Sequence, residues 1–385
     1  MAIRVALAAA LLTLAVGLSY TWGALAPFAL SQTHWNTLEV ALVFSATPGF
    51  YGFGMVIGGR LGDSQPPRRL LWAALALVAT GYAVTFLRPQ PATFILFYAG
   101  LSQGTGGGMA MACSLAAFRQ TFPRRLGSAG GLLSSFFPLS SLLLVPIVTS
   151  LASRIGWVDG VRLTGTALVL LAALGLLQMP GIAAPRGEHH AAGRPFLSLV
   201  GRPLVWTGFL IELLATPLGA YSFVHLGPYA QTLGLSLAIA STAVVAAIAG
   251  NGLGRIVAGA ASDRMPADRV ILALLVCSLA AATALALASG TPLMLTGALL
   301  AGIGFGAPAG MLPRLAAQAA PEAPNTAYGL MFVGYTTGSF AGPLFGELLS
   351  RDAAGWLEMA AIPAAGLVVL LLRRLIAAPA SPIIR

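Results

Sequence analysis

Residues 244–264 read VVAAIAGNGLGRIVAGAASDR and place one arginine, Arg255, inside an otherwise apolar run. A run of roughly 20 apolar residues is long enough to span a bilayer as a helix. The whole chain has the same character, because 57% of its 385 residues are hydrophobic and only 8% are charged. Soluble domains carry about 25% charged residues. The sequence therefore predicts a membrane protein.

Twelve apolar stretches of about this length follow one another along the chain. They begin near residues 5, 39, 68, 91, 126, 160, 203, 237, 268, 291, 324 and 355. This pattern predicts an all-α membrane protein with twelve transmembrane helices. A signal peptide is an alternative for the first stretch, since Arg4 precedes it and Ala24-Leu25-Ala26 follows it. Its apolar run is, however, longer than the roughly 7 to 15 residues of such signals.

The arginines predict the orientation of the helices. The chain has no lysine, and sixteen of its 21 basic residues fall on the side of both termini. Four fall on the opposite side: Arg88, Arg154, Arg162 and Arg351. The positive-inside rule then places both termini in the cytoplasm. We expect a monomer in a bacterial inner membrane, with a charge of +10 that faces anionic lipid. A nucleic-acid partner is not expected, because no soluble segment is long enough to form a domain.

Short motifs recur at a nearly constant offset. The pairs are GRLGD at 59–63 with GAASD at 259–263, GTGGG at 104–108 with GIGFG at 302–306, and GW at 156–157 with GW at 355–356. The repeat predicts two pseudo-symmetric six-helix halves, residues 1–183 and 203–385. A polar cytoplasmic linker, residues 184–202, joins them.

The two halves resemble the plan of the major facilitator superfamily, whose halves rock about a site near the midplane. That superfamily carries G-x-x-x-D and a basic pair after its second helix. The matching residues here are Gly59, Asp63, Arg68 and Arg69, and the second copy keeps Asp263 and Arg264. We expect Asp63 to cap the start of the following helix and to pair with a neighbouring arginine, as a conformational latch between helix ends. Plain surface loops that obey the positive-inside rule are the alternative.

Four segments also resemble the group of oxalate:formate antiporters and monocarboxylate transporters. They are GLSYTWGALAPF at 17–28, VHLGPYAQTLGLS at 224–236, NGLGR at 251–255 and AYGLMFVGYTTGSFAGP at 327–343. The resemblance implies that Arg255 faces a central cavity and pairs with the carboxylate of the substrate. The group's second cation would fall at Tyr335, and its acidic residue before the arginine falls at Asn251. A single cationic anchor suits a monocarboxylate.

The depth of Arg255 supports the same role independently. It lies eight residues before Asp263, which is about 12 Å along a helix. An arginine at such depth costs roughly 2.5 to 3.5 kcal/mol to insert, and it cannot lose its proton. The matching position in the first half, Met55, is apolar. Arg255 is thus a substrate anchor or, alternatively, the partner of a structural ion pair with Glu212. Glu212 is the only acidic residue deep in a span, and it is also the candidate proton carrier.

Further polar and aromatic residues are candidates for lining the cavity. They are Tyr20, Trp22, Gln103, Asn251, Tyr328 and Tyr335. Helix packing is the alternative for each aromatic residue. Together the features predict a secondary transporter of a small monocarboxylate or related organic anion, either proton-coupled or working by anion exchange. The alternatives are an exporter of a neutral or cationic compound that faces Glu212, and a transport-inactive sensor. An enzyme, a cofactor and a metal site are not expected, because the sequence clusters no nucleophile, base or metal ligands.

Overall fold

The structure is a computed structural model that describes residues 2–183, 196–346, 348–350 and 352–377. Of residues 196, 345 and 371–377 only the backbone is described. The described residues form twelve long helical segments and no strand. These are α1 (Ala2–Gln32), α2 (Thr37–Gly62), α3 (Pro67–Leu87), α4 (residues 91–121), α5 (Leu126–Ile155), α6 (Trp157–Gln178), α7 (Pro203–Thr232), α8 (Leu237–Ser262), α9 (Ala267–Ala286), α10 (Thr291–Ala319), α11 (Pro324–Gly346) and α12 (Ala353–Ala377).

The predicted all-helical fold is confirmed. The largest differences between predicted and observed helix starts are three residues, at α1 (5 against 2) and α6 (160 against 157). Ten of the segments are long and apolar enough to cross a membrane by length and composition. The other two, α4 and α11, lie among them. Of the predicted linker, residues 184–195 lie outside the described part, and a short helix, Phe196–Val200, precedes α7.

Two of the helices depart from α-helical geometry over part of their length. In α1 the segment Gly17–Thr21 is wound as a 3-10 helix, and in α4 the segment Phe94–Gly106 is wound as a π-helix. Both geometries change the direction of side chains relative to a regular helix, and π-helical turns are frequent at functional sites. The two irregular segments contact each other.

Glycines allow the same close helix contact in both halves. A Cβ on Gly108 of α4 would lie 2.1 Å from the carbonyl oxygen of Tyr51 in α2. A Cβ on Gly306 of α10 would lie 2.0 Å from the carbonyl oxygen of Asn251 in α8. These separations admit no side chain, so the close approach of the backbones requires glycine at both positions. The repeated glycine motifs therefore correspond to repeated helix contacts.

Two helix pairs carry most of the contact between the halves. Helix α8 packs against α5, and α11 packs against α2. Both pairs are in contact from the end that carries Asp63 and Asp263 to the middle of the bundle. We call this end the aspartate end, and the arginine distribution predicts that it is cytoplasmic. The two halves are therefore packed together at this end.

Candidate functional site

Arg255 lies on α8 at the interface between the halves and is 1% exposed. Glycines on two neighbouring helices touch the backbone at this position. A Cβ on Gly131 of α5 would lie 2.3 Å from the carbonyl oxygen of Arg255, and one on Gly310 of α10 would lie 2.2 Å from it. The helix axis is thus held between small residues of both halves, and this fixes the depth of the guanidinium group.

The guanidinium group is bound by neutral groups rather than by a carboxylate. Its Nε donates to Oδ1 of Asn251 at 3.0 Å, and Nη2 donates to the hydroxyl of Tyr335 at 3.2 Å. The Cζ atom also lies 5.7 Å from the centre of the Tyr335 ring, within the range of a cation–π interaction. Among the described residues, no hydrogen bond to Nη1 accompanies these two. Donors of a buried arginine therefore remain available to a ligand.

Aromatic rings from both halves surround this group. The hydroxyls of Tyr20 and Tyr335 lie 3.4 Å apart across the interface. The ring of Phe332 stacks on Tyr335 at 4.6 Å and contacts Tyr51 of the first half at 5.7 Å. Phe137 stacks on Tyr51 at 5.3 Å. The site is therefore a charged group within an aromatic enclosure.

Sequence reasoning missed Tyr51, Phe137 and Phe332. A signal for Tyr51 was present, because it occupies the position of Asn251 at the repeat offset of 200. The two phenylalanines offered no such signal, since an aromatic residue in an apolar span is usually a packing residue. Of the predicted lining residues, the structure brings Tyr20, Asn251 and Tyr335 together at Arg255, and Tyr328 is near enough to interact with the same charge.

Glu212 lies on α7 close to this cluster and is fully buried. It is near enough to Arg255 for the two charges to interact, yet no ion pair joins them among the described residues. Neither oxygen of its carboxyl group has a hydrogen-bond partner. The alternative of a structural ion pair between Arg255 and Glu212 is therefore not seen, because the guanidinium group is turned toward Asn251 and Tyr335 instead. The Tyr328 hydroxyl and Nδ2 of Asn251 are also buried without a partner.

Trp22 was predicted to line the cavity, and the structure places it elsewhere. Its indole nitrogen donates to the carbonyl of Val40 at 2.9 Å. Its ring packs against an aromatic cluster within the first half, namely Trp35, Phe94, Tyr98 and Trp157. The alternative of helix packing therefore applies to this residue, since a large ring beside four others gains more from burial than from exposure to a cavity.

Gln103 was also predicted to line the cavity, but its polar atoms are engaged within the first half. Its Oε1 accepts from the backbone nitrogen of Ser19 at 3.1 Å, and its Nε2 donates to the hydroxyl of Tyr82 at 2.9 Å. The Ser19 bond satisfies a donor inside the 3-10 segment of α1. Gln103 thus bridges the irregular parts of α1 and α4. Its polar atoms are bound there and do not face the group around Arg255.

At the aspartate end, Asp63 binds the other half of the protein. Its carboxylate accepts from the backbone nitrogens of Asn325 and Thr326 at 3.0 and 2.8 Å, and from the Thr326 hydroxyl at 2.7 Å. Arg119 of α4 lies 3.6 Å from the same carboxylate. Burial raises the pKa of Asp63, and the hydrogen bonds and Arg119 oppose this shift. A carboxylate here also complements the positive end of the α11 dipole.

Asp263 makes the equivalent contact in the opposite direction. It accepts from the backbone nitrogens of Gly127 and Ser128 at 2.9 and 2.7 Å, and from the Ser128 hydroxyl at 2.6 Å. These residues begin α5 of the first half, and Arg314 of α10 lies 3.9 Å away. We call the two contacts the aspartate clamps. Each joins the end of one helix to the start of a helix in the other half.

The clamps correct the predicted geometry of this loop. Asp63 caps α11 rather than the helix that follows it, because α3 begins after Pro66 without a side-chain cap. Its arginine partner is Arg119 rather than Arg68, which reaches the carbonyl of Leu177 at 3.4 Å. Of the remaining predicted residues, Arg69 is exposed. The side chain of Arg264 donates to the carbonyl of Ala260 in α8. Gly59 has no side chain, and this leaves room for the backbone of Asn325.

Comparison with known proteins gives the family. The family model of the Major Facilitator Superfamily matches residues 6–323 and, in a second match, residues 222–383. Monocarboxylate transporter 11 of Mus musculus is 29% identical over 214 residues, which are 52% of this chain and 47% of that protein. The enterobactin exporter EntS of Salmonella paratyphi A is 24% identical over 184 residues, which are 46% of this chain and 43% of that protein. The chain spans about half the length of these curated relatives.

Solved structures match over nearly the whole chain. The transporter FucP in the outward conformation has a TM-score of 0.68 at 19% identity, covering 96% of this chain and 98% of its own. The proton:xylose symporter XylE, bound to 6-bromo-6-deoxy-D-glucose, has a TM-score of 0.71 at 16% identity, covering 98% of this chain and 96% of its own. At this identity the likeness is one of fold alone. Together with the family match, it means that the chain belongs to the Major Facilitator Superfamily and is a multi-pass membrane transporter.

Proposed function

We propose that the protein transports a small monocarboxylate or related organic anion by alternating access, with Arg255 as the anchor for the carboxylate. The observation that carries this proposal is the state of Arg255. It is buried, permanently charged, bound only by neutral groups, and has Nη1 free of any described partner. A carboxylate fits the planar fork of a guanidinium group in two parallel hydrogen bonds, and it neutralises the buried charge.

Neighbouring groups support an anion of limited size. The Tyr335 hydroxyl and the Tyr20 hydroxyl lie next to the anchor, and Asn251 Nδ2 is a further unpaired donor. The surrounding aromatic rings favour a compact, partly apolar molecule. The relative named Monocarboxylate transporter 11 belongs to the same substrate class by its name. The predicted orientation, in a bacterial inner membrane with both termini cytoplasmic, remains part of the proposal.

A second candidate function follows from Glu212. Because both of its oxygens are buried without a partner, it offers a negative site to a cationic or neutral substrate, as in an exporter. For the anion transporter, the same residue is the candidate carrier of a coupled proton. Anion exchange is the alternative mode of coupling, and it requires no titrating group.

Binding to purified protein tests the proposal. The probes are formate, acetate, propionate and oxalate, and the readout is the thermal unfolding midpoint at two pH values. We expect at least one monocarboxylate to raise the midpoint of the wild type, and Arg255→Lys to remove that rise, since lysine lacks the planar fork. Arg154→Lys, at an exposed position, is the matched control. A rise that persists in Arg255→Lys would remove Arg255 from the site.

A further inference from the structure

A carboxylate on Arg255 does not account for Glu212. Buried polar groups are nearly always hydrogen-bonded, and each exception requires an explanation. Glu212 is fully buried, and both of its oxygens are unpaired. Its side chain is close enough to interact electrostatically with Arg255, Tyr328 and Tyr335. The unpaired acceptor therefore belongs to the same site as the anion anchor.

Unpaired donors of the site lie beside this acceptor. Nδ2 of Asn251 and the hydroxyl of Tyr328 are buried without partners, and Nη1 of Arg255 has none among the described residues. A simple monocarboxylate satisfies the donors and leaves Glu212 unsatisfied. A simple cation satisfies Glu212 and leaves the arginine unsatisfied. Only a molecule with groups of both kinds completes the site.

The formal charges lead to the same requirement. Arg255 contributes a permanent positive charge, and Glu212 contributes a negative charge when it is ionised. The other ionisable groups that interact with Arg255 are tyrosines: Tyr20, Tyr51, Tyr328 and Tyr335. A net charge added to a buried site is costly, whereas a ligand of zero net charge with complementary ends preserves the balance. The faces of the tyrosine and phenylalanine rings also favour a substrate cation.

We propose, on the basis of the proposed function, that the substrate is a monocarboxylate that also bears a protonated amine. Its carboxylate binds Arg255, and its ammonium group donates hydrogen bonds to Glu212. Glu212 and Arg255 interact without a hydrogen bond or ion pair between them, because the guanidinium group binds Asn251 and Tyr335 and both oxygens of Glu212 are unpaired. The same substrate unites the anion site and the cation site that the two candidate functions treat separately.

Matched pairs of acids test this inference. The pairs are propionate with alanine and with 3-aminopropionate, and butyrate with 4-aminobutyrate. Lactate, 2-hydroxypropionate, tests a neutral donor, and ethylammonium tests a cation alone. The readout is the dissociation constant for purified protein, measured by calorimetry. In the wild type we expect at least one amino acid to bind about tenfold more tightly than its amine-free partner, as for one charge-assisted hydrogen bond.

Glu212→Gln should reduce that ratio to about one, because the neutral amide cannot pair with the ammonium group. Ser222→Ala is the control, since Ser222 is buried on the same helix and bonds only to the carbonyl of Leu218. If Glu212→Gln does not fold, the wild-type ratios decide alone. Amine-free acids or lactate that bind as tightly as every amino acid would overturn the inference while leaving the Arg255 anchor intact. Acids that bind neither alone nor with an amine would overturn the proposed function as well.

Discussion

Arg255 combines three properties at one residue: depth in the bundle, a permanent charge and neutral partners. The bonds to Asn251 and Tyr335 orient the guanidinium group without neutralising it. A fixed, incompletely neutralised cation is prepared for an anionic ligand, because little reorganisation is needed when the ligand binds. Under the proposed function, Arg255 recognises the charge of the substrate, and the adjacent aromatic rings limit its size.

In the proposed function, Tyr335 is the residue that limits the site to one carboxylate. Tyr335→Lys would place a second cation beside Arg255, so that the binding of a dianion would relieve their repulsion. We expect oxalate to gain at least about tenfold against acetate in competition with the transported acid, which corresponds to about 1.4 kcal/mol. Tyr335→Phe, which removes the hydroxyl and adds no charge, is the control. A wild-type protein that already prefers oxalate would contradict this assignment.

Glu212 is the residue at which proton coupling is tested. If it carries the proton, Glu212→Gln should abolish the dependence of net propionate uptake on a pH gradient, because the amide does not titrate. Exchange of labelled propionate across the same vesicles should remain measurable, since exchange requires the anchor but no proton release. Accumulation driven by the gradient in Glu212→Gln vesicles, at the wild-type level, would exclude Glu212 as the carrier.

The burial of two charged residues, Arg255 and Glu212, was predictable from the sequence. A charge deep in an apolar span is visible in the sequence, and so Arg255 and Glu212 were identified from their positions alone. The orientation of the guanidinium group was not visible, because it depends on Asn251 one helical turn away and on Tyr335 in another helix. Trp22 and Gln103 were predicted to line the cavity, but their polar atoms form hydrogen bonds within the first half. Those partners were not visible in the sequence.

At the scale of the helix, the irregular segment of α1 places Tyr20 at the site. The 3-10 turn is held by Gln103 through the backbone nitrogen of Ser19, and Tyr20 follows Ser19 directly. Tyr20 then meets Tyr335, which binds Arg255. A continuous series of contacts thus runs from the interior of the first half to the anchor in the second.

Gln103 is therefore expected to act as a positioning residue for Tyr20. Gln103→Leu removes the acceptor for Ser19 and should raise the apparent KM by about tenfold, the effect of one lost buried hydrogen bond. Tyr20→Phe should produce a similar rise, and the double variant should be no worse than either single variant, because both act on the same contact. Thr85→Val, at a buried threonine of α3, is the control. If the two substitutions raise the apparent KM additively, Gln103 acts independently of Tyr20, through the stability of the protein.

The helix starts were predicted well because turn residues and arginines interrupt the apolar runs. The 3-10 and π-helical segments were not predicted, since the composition of an apolar span is nearly the same for each kind of helix. The glycine repeats lie at close helix contacts in the structure. They did not indicate which helix contacts which, because that depends on the arrangement of both halves.

Across the whole molecule, symmetry and asymmetry have different roles. The aspartate clamps and the glycine contacts recur in both halves at offsets near 200, so they belong to the repeated scaffold. Both charges of the site belong to the second half, and the first half contributes aromatic rings. A scaffold that is symmetric around an asymmetric site allows the halves to exchange conformations while the substrate remains oriented.

The clamps are expected to hold the aspartate end closed. Asp63→Ala or Asp263→Ala removes three hydrogen bonds to a helix start, and should shift the equilibrium toward opening by about 1 to 2 kcal/mol, or roughly 5- to 30-fold. Ala129→Cys, introduced with Cys113 and Cys277 replaced by alanine, reports access to the small cavity between the halves. Its labelling by a polar thiol reagent should accelerate in each clamp variant.

The control for this experiment is Asp268→Ala, which changes an aspartate in the first turn of α9. It should leave the labelling rate unchanged. Equal labelling rates in the wild type, both clamp variants and their combination would mean that the two aspartates stabilise the fold without controlling access. The predicted role of this loop as a conformational latch would then be wrong.

Transport by reconstituted vesicles tests the central claim most directly. Wild type, Arg255→Lys, Arg255→Ala and the Arg154→Lys control are compared for uptake of the best-bound acid, after insertion and folding have been verified for each. We predict that uptake falls at least about a hundredfold in both Arg255 variants, since a lost bidentate charged contact costs several kcal/mol, and that the control transports normally. Near-normal uptake by Arg255→Lys and Arg255→Ala would contradict the account.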